Sequence, residues 1–182
     1  SATGTSTTLT GLMPNTAYNV YVKAVCSATD QSPWTNATTF RTNCATFTTP
    51  YTWTFEDMPV STAPLCWTKV GNGTTNVMSS DSYAHNSTKY LRFSGSTSNL
   101  ILLPEINGTL SDLQMRFWTR PESTSNSNCG TFSVGYVTDI ADATTFVALA
   151  TYSYNDFTDY DEKTVVFATA PAGARMALRH TP

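Results

Sequence analysis

Residues 129–152 show the period-two alternation of apolar and polar side chains that is typical of half-buried β-strands. Before a break at 139–142, apolar residues alternate with small or polar ones: Phe132, Val134 and Tyr136 against Thr131, Ser133 and Gly135. After the break, the apolar positions are Phe146, Ala148, Ala150 and Tyr152. The pattern predicts a long β-hairpin whose apolar side chains lie on one side of a sheet.

Short apolar or alternating segments continue on both sides of this hairpin, separated by Gly, Asn, Asp and Pro turns. They include residues 90–93, 100–103, 110–120, 163–168 and 175–180. At least eight short strands joined by such turns indicate an all-β sandwich. No helix is predicted beyond a single turn over residues 139–145.

The composition narrows the class of protein. Hydrophobic residues make up 40% and charged residues 13% of the 182 residues, so the chain can bury a core and its surface is polar mainly through Ser, Thr and Asn. A net charge of −3 gives no electrostatic footprint for nucleic acid. No apolar run reaches membrane-spanning length. We therefore expect no nucleic-acid partner and no membrane insertion.

The N-terminal segment carries a spaced motif ahead of an alternating strand at 19–25. The motif consists of Leu12, Pro14, Thr16 and Tyr18. It resembles the tyrosine corner of fibronectin type III domains, in which the Tyr hydroxyl hydrogen-bonds the backbone a few residues upstream. The resemblance implies that residues 1–43 are the C-terminal strands of such a module, without its first half. The alternative is that they form an N-terminal hairpin of the domain that follows.

A second domain is predicted over residues 51–182, after a short, stiff linker at 44–50. The segments that identify it are Phe55-Glu56, Pro64-x-Cys66-Trp67, 102–106, 113–118, 134–139 and 145–147. Their order is similar to that of MAM-like jelly-roll modules of bacterial secreted proteins, a group that includes the cleaved-adhesin domains of gingipain-type surface proteases. The resemblance implies an antiparallel jelly-roll β-sandwich beside other domains of one polypeptide. It also implies a closing strand with paired acidic residues, which this sequence lacks.

The four cysteines, with no CxxC pair, favour disulfides over a zinc site. Disulfides in turn indicate a secreted, extracellular protein, which could be attached to the cell surface. Because Cys26 ends one strand and Cys44 follows the next, we expect a Cys26–Cys44 bridge, which leaves Cys66–Cys129 for the second domain. The rival pairing, Cys44–Cys66, would clip the linker to the second domain and leave two free thiols.

No catalytic motif is present in the sequence. Its two histidines, His85 and His180, lie near no recognisable nucleophile motif. His85 belongs to a polar loop and is predicted to be solvated. We therefore expect no enzyme activity from these residues, although they could be an accessory region of a larger enzyme, and no cofactor is required.

Acidic residues form two groups that could bind a hard cation. One group lies among aromatic residues and predicts an ordinary solvated turn: Asp156, Asp159, Asp161 and Glu162. The better calcium candidates are Glu56 and Asp57. The jelly-roll resemblance implies a structural Ca²⁺ there that ties the first and last strands together.

The segment 113–120 divides its side chains between two faces. The apolar face predicts core positions: Leu113, Met115 and Phe117, with Thr119. The opposite face carries Gln114, Arg116, Trp118 and Arg120. A ring flanked by donors can stack on a sugar or hold an acidic ligand. The alternative is that a loop covers Trp118 and the arginines lie over it.

These features predict a non-catalytic binding or adhesion module that recognises a glycan or a host protein. The alternative function is a structural spacer that positions a distant catalytic domain, such as a peptidase or glycosidase. A ligand-binding surface distinguishes the two, because a spacer has no need of one.

Overall fold

The computed structural model of the chain describes residue 4 and residues 6–122, 129–153 and 159–182. The chain divides into two compact units, Ser1–Ala45 and Thr46–Pro182. The fold is all-β, as predicted: the described residues hold thirteen strands and two single-turn 3₁₀ helices. No helix in this described part is long and apolar enough to cross a membrane.

Two strands belong to the first unit: β1 (Ala17–Val20) and β2 (Thr38–Arg41). The second unit holds β3 (Phe47–Thr48), β4 (Thr68–Val70), β5 (Thr74–Ser79), β6 (Lys89–Ser94), β7 (Asn99–Leu102), β8 (Ile106–Asn107), β9 (Gln114–Thr119), β10 (Thr131–Val137), β11 (Val147–Ser153), β12 (Asp161–Val166) and β13 (Arg175–Thr181). The 3₁₀ helices are Leu110–Asp112 and Ala143–Thr145. The second of them lies in the turn predicted at 139–145.

The first unit is built on an antiparallel pair, β1 with β2, in which Tyr18 lies opposite Phe40. Their rings stack with centroids 5.9 Å apart. The Tyr18 hydroxyl accepts a hydrogen bond from the Met13 N–H at 2.9 Å. This is the upstream backbone contact predicted for the tyrosine corner. Membership of a fibronectin type III module stays a prediction.

The second unit contains a five-stranded antiparallel sheet, formed in the described residues by β11, β10, β13, β7 and β4 in that order. The predicted hairpin is its β10–β11 pair, with Phe132 opposite Tyr152 and Val134 opposite Ala150. The central position is taken by β13, which joins β10 to β7.

The hairpin departs from strict alternation at a β-bulge. Val134 pairs with Ala150, but Gly135 pairs with Ala148, so Leu149 is an extra residue in β11. An extra residue moves the following side chains to the other face of the strand. Leu149 therefore packs against the main core, whereas Phe146 packs against a separate cluster. The prediction that Phe146 and Tyr152 share one face was wrong for this reason.

The main core lies between the five-stranded sheet and the antiparallel pairs β9–β12 and β5–β6. Its buried residues are Ile101, Leu103, Val134, Tyr136, Val165, Phe167, Ala170, Met176 and Leu178. Side chains from β9 and β6 pack against it: Met115, Phe117, Leu91 and Phe93. Trp53 and Trp67 also pack there, with ring centroids 5.6 Å apart.

The observed state of the four cysteines differs from the expected disulfide bridges. Cys44 and Cys66 are disulfide-bonded, whereas Cys26 and Cys129 are free thiols. The predicted Cys26–Cys44 and Cys66–Cys129 bridges were therefore wrong, because each of them needs a cysteine that is a free thiol. The reason is strand direction. In the antiparallel β1–β2 pair, Cys26 lies beyond one end and Cys44 beyond the opposite end.

Candidate ligand-binding site

The polar face predicted on segment 113–120 lies on β9 and faces away from the core. Met115 and Phe117 pack against the core, and the residues that alternate with them along β9 are more exposed. On the outer side are Gln114, Arg116 and Trp118, which are exposed, and Arg120, which is half-buried. In the pairing with β12, Trp118 lies opposite Glu162 and Arg116 opposite Thr164. Gln114, Arg116 and Trp118 thus share the outer side of β9, and Arg120 directly follows the last residue of the strand.

The Trp118 side chain is 40% exposed and is partly covered by a loop. The covering residue is His85, from the β5–β6 loop of residues 80–88. Its ring stacks on the indole with centroids 4.6 Å apart and planes inclined by 13°. The Arg116 guanidinium lies 5.7 Å from the Trp118 ring centroid. The indole of Trp118 is therefore partly covered by the His85 ring and partly open to solvent.

The contacts continue from His85 to a second group of rings. His85 meets the edge of Tyr160, with centroids 4.8 Å apart. The Arg120 guanidinium lies 5.3 Å from the Tyr83 centroid and 5.6 Å from the Tyr160 centroid. The Tyr160 hydroxyl donates to the Tyr83 carbonyl, and the Tyr83 ring approaches Tyr90. We call this set the aromatic–cation cluster: Trp118, His85, Tyr160, Arg120, Tyr83 and Tyr90.

The arginines near this cluster differ in whether a carboxylate pairs with them. Arg116 pairs with Glu162 at 3.3 Å, and Arg92 of β6 pairs with Glu122 at 2.7 Å. Arg120 forms no ion pair with any residue that the structure describes. Burial raises the pKa of the neighbouring Tyr160 hydroxyl, although the positive charge of Arg120 opposes this shift. Burial likewise raises the pKa of Tyr90.

The loop that carries His85 is fastened at its C-terminal end by Glu56. The Glu56 carboxylate accepts hydrogen bonds from the Thr88 hydroxyl at 2.7 Å, the Thr88 N–H at 2.9 Å and the Lys89 N–H at 2.7 Å. The Lys89 ammonium donates to the carbonyls of Glu56 and Met58, at 2.6 and 2.7 Å. A glutamate expected to bind metal thus holds the base of the β5–β6 loop.

This arrangement does not suit the calcium site expected from the jelly-roll resemblance. Both Glu56 carboxylate oxygens already accept hydrogen bonds, and the Lys89 ammonium lies beside the Glu56 backbone carbonyl. Across the described ranges, no three His, Cys, Asp or Glu side chains come together in a way that could hold a metal. In the second acidic group, Asp156 lies outside the described residues, and Glu162 is paired with Arg116.

Replacing Glu56 with Gln is expected to flatten the acid side of the stability–pH profile. The hydroxyl of Thr88, then the N–H groups of Lys89 and Thr88 and the Lys89 charge, lower the Glu56 pKa, although burial opposes them. Since the folded pKa lies below the unfolded one, the stabilisation is complete above the ordinary glutamate pKa of about 4.3 and is lost as pH falls through the folded value. Thermal melts of both proteins between pH 7 and pH 3 measure the difference.

The control for this experiment is Asp57→Asn, because Asp57 is exposed and makes no side-chain hydrogen bond with the described residues. It should leave the Glu56-dependent part of the profile in place. Identical acid limbs for the wild type and E56Q would contradict the anchoring role. Melts with added Ca²⁺ and with chelator test the calcium expectation for Glu56 and Asp57 in the same series.

Part of this site could not be found from strand periodicity. His85, Tyr83 and Tyr160 belong to loops, and the Tyr160–Tyr83 contact joins residues 77 positions apart. The available signal was local: two rings in the short loop segment Tyr83–His85 and a tyrosine directly before β12. Because a loop carries no fixed period, that signal does not say which strand the rings cover.

Comparison with known proteins gives the same architecture. No protein-family model matches the chain, and no curated protein matches it. A solved structure, the K2 cleaved adhesin domain of Lys-gingipain, matches with a TM-score of 0.56 and 17% sequence identity, over 72% of this chain and 88% of that one. At this identity the likeness concerns the fold alone. The chain therefore has an all-β fold similar to that of a cleaved adhesin domain, in line with one part of the predicted resemblance.

Proposed function

We propose that the chain is a non-catalytic, adhesion-type binding module of a secreted multidomain protein and that it binds a glycan through the outer face of β9. The observation that carries the proposal is the Trp118 ring, 40% exposed between Arg116 and Arg120 on the side of the strand that does not face the core. An amphipathic ring can stack on a sugar, while the guanidinium groups donate hydrogen bonds to its oxygens.

Two further observations support this class of function. The solved structure with a similar fold is named an adhesin domain. That name describes the other protein, and it supports adhesion as a proposal for this chain. The disulfide-bonded Cys44 and Cys66 suit an oxidising, extracellular compartment. Attachment to the cell surface and a host-protein ligand are extensions of the same proposal.

The second candidate is the spacer function, and one observation favours it. His85 stacks on Trp118 within the protein, so the indole already has a partner without any ligand. A spacer would use that contact only to hold the β5–β6 loop. The two functions therefore differ in what removal of the Trp118 ring changes.

Replacing Trp118 with Ala is expected to weaken glycan binding about 10-fold or more while the protein stays folded, because a stacking Trp contributes at least about 1.4 kcal/mol to binding. The measurement is a glycan array on the wild type, followed by titration of the best glycan into wild type and W118A. Trp34→Ala provides the matched control, because Trp34 is an exposed tryptophan of the first unit. Failure to bind any glycan or protein, or unfolding of W118A, would favour the spacer.

A further inference from the structure

We propose that the β9 surface selects an anionic saccharide, in which a carboxylate or sulfate is held by Arg120 while the sugar ring lies against the open part of Trp118. The inference rests on the proposed glycan-binding function and adds the charge of the ligand to it. The main evidence for it is how Arg120 is held within the aromatic–cation cluster.

Arg120 is positioned before any ligand arrives. Its guanidinium lies within 6 Å of the centroids of both Tyr83 and Tyr160, a distance at which a ring face attracts a cation. Its Nε donates to the Pro121 carbonyl at 3.3 Å, and one Nη1 hydrogen donates to the Ser82 carbonyl at 3.3 Å. A guanidinium has five N–H donors. Three of them thus make no hydrogen bond with the described residues, in the planar fork that fits an oxyanion.

Among the arginines around the aromatic–cation cluster, Arg120 makes no ion pair with any described carboxylate. Arg116 of β9 and Arg92 of β6 have glutamate partners, Glu162 and Glu122. The tyrosine rings attract the Arg120 cation but carry no charge to neutralise it. The chain as a whole has a net charge of −3, so long-range attraction does not bring an anion here. Selection must come from direct contact with this one guanidinium.

The short distance between Trp118 and Arg120 allows one ligand to contact both side chains. Arg120 lies just past the end of β9, two residues after Trp118, and two residues of extended chain span about 7 Å. His85 packs between Trp118 and Tyr160, and Tyr160 in turn contacts Arg120. The loop therefore fixes the distance between the ring and the guanidinium. A ring surface next to a cation matches a sugar that carries an acidic group.

The test compares oligogalacturonate with the same oligosaccharide after methyl esterification, which removes the charge and keeps the sugar. We expect the wild type to bind the acid about 10-fold or more tightly than the ester, as the loss of a hydrogen bond to a charged group implies. Arg120→Gln should abolish that preference, and Arg120→Lys should reduce it, because lysine keeps the charge without the fork. Lys69→Gln, on the edge strand β4 of the other sheet, removes the same charge and should leave the preference intact. Dextran sulfate against dextran repeats the comparison for sulfate.

The outcomes separate this inference from the proposed function. Equal binding of acid and ester, with loss of both in W118A, leaves glycan binding in place and overturns the anionic selection. Retention of the full preference in R120K and R120Q overturns the role of Arg120. If poly-glutamate binds as tightly as oligogalacturonate and W118A does not change this, the site is a general polyanion contact. That result would overturn the proposed selection of a saccharide. No binding to either anionic polysaccharide also overturns it.

Discussion

Replacing Phe167 with alanine is expected to lower the free energy of unfolding by about 3–5 kcal/mol. The Phe167 side chain is fully buried, and it follows directly on β12 in the main core. Its N–H donates to the Leu113 carbonyl, so the backbone at this point is tied to the start of β9. Truncation would leave a cavity that these hydrogen-bonded strands cannot close. Urea denaturation of wild type and variant measures the loss.

The neighbouring residue supplies the control for this prediction. The side chain of Val166 is 57% exposed on the other face of the same strand end. Val166→Ala should therefore change the unfolding free energy by less than about 0.5 kcal/mol. Equal losses for the two variants would show that Phe167 is not the centre of the core.

Gly135→Ala is expected to destabilise the second unit by about 1–3 kcal/mol or more, because the added methyl group has no space. A Cβ at this position would lie 1.9 Å from the carbonyl oxygen of Val147. The clash is with backbone at the β10–β11 bulge, so no side-chain rotation relieves it. The measurable result is a lower denaturation midpoint.

Gly4→Ala adds the same methyl group where the structure shows no atom within 4 Å of it. This control should stay within about 0.5 kcal/mol of the wild type. An unchanged midpoint for G135A would mean that β11 can shift its register without cost. The bulge would then be an adjustable feature of the hairpin instead of a fixed one.

Several strands could be predicted from sequence because each carries its own evidence, whereas β4 and β5 were not among the predicted segments. The β10–β11 hairpin, the two faces of β9 and the Tyr18 hydroxyl contact follow from local periodicity or a local motif. The bulge could not, because one extra residue in β11 exchanges the faces of Leu149 and Phe146 without any change in composition. Alternation fixes a face only while the pairing stays in register.

The features that depend on distant residues could not be predicted from the sequence either. Pairing of cysteines depends on where strand ends meet in space, and the assumed proximity of Cys26 and Cys44 ignored the direction of β1 and β2. In the candidate site, the face holding Trp118 was predictable from β9 alone. The cover by His85 and the tyrosines around Arg120 come from two separate loops, so only the folded chain brings them together.

From the central place of β13 in the sheet we expect its insertion to be a slow step of folding. Strands β7 and β10 both need β13 as their partner, and the Leu102–Ala177 pairing closes a loop of roughly 75 residues. Such non-local pairing is typical of domains that fold in milliseconds to seconds. Until β13 inserts, the apolar strand β7 keeps an unpaired edge that another chain could occupy. We therefore expect the chain to be most prone to aggregate before β13 has inserted between β7 and β10.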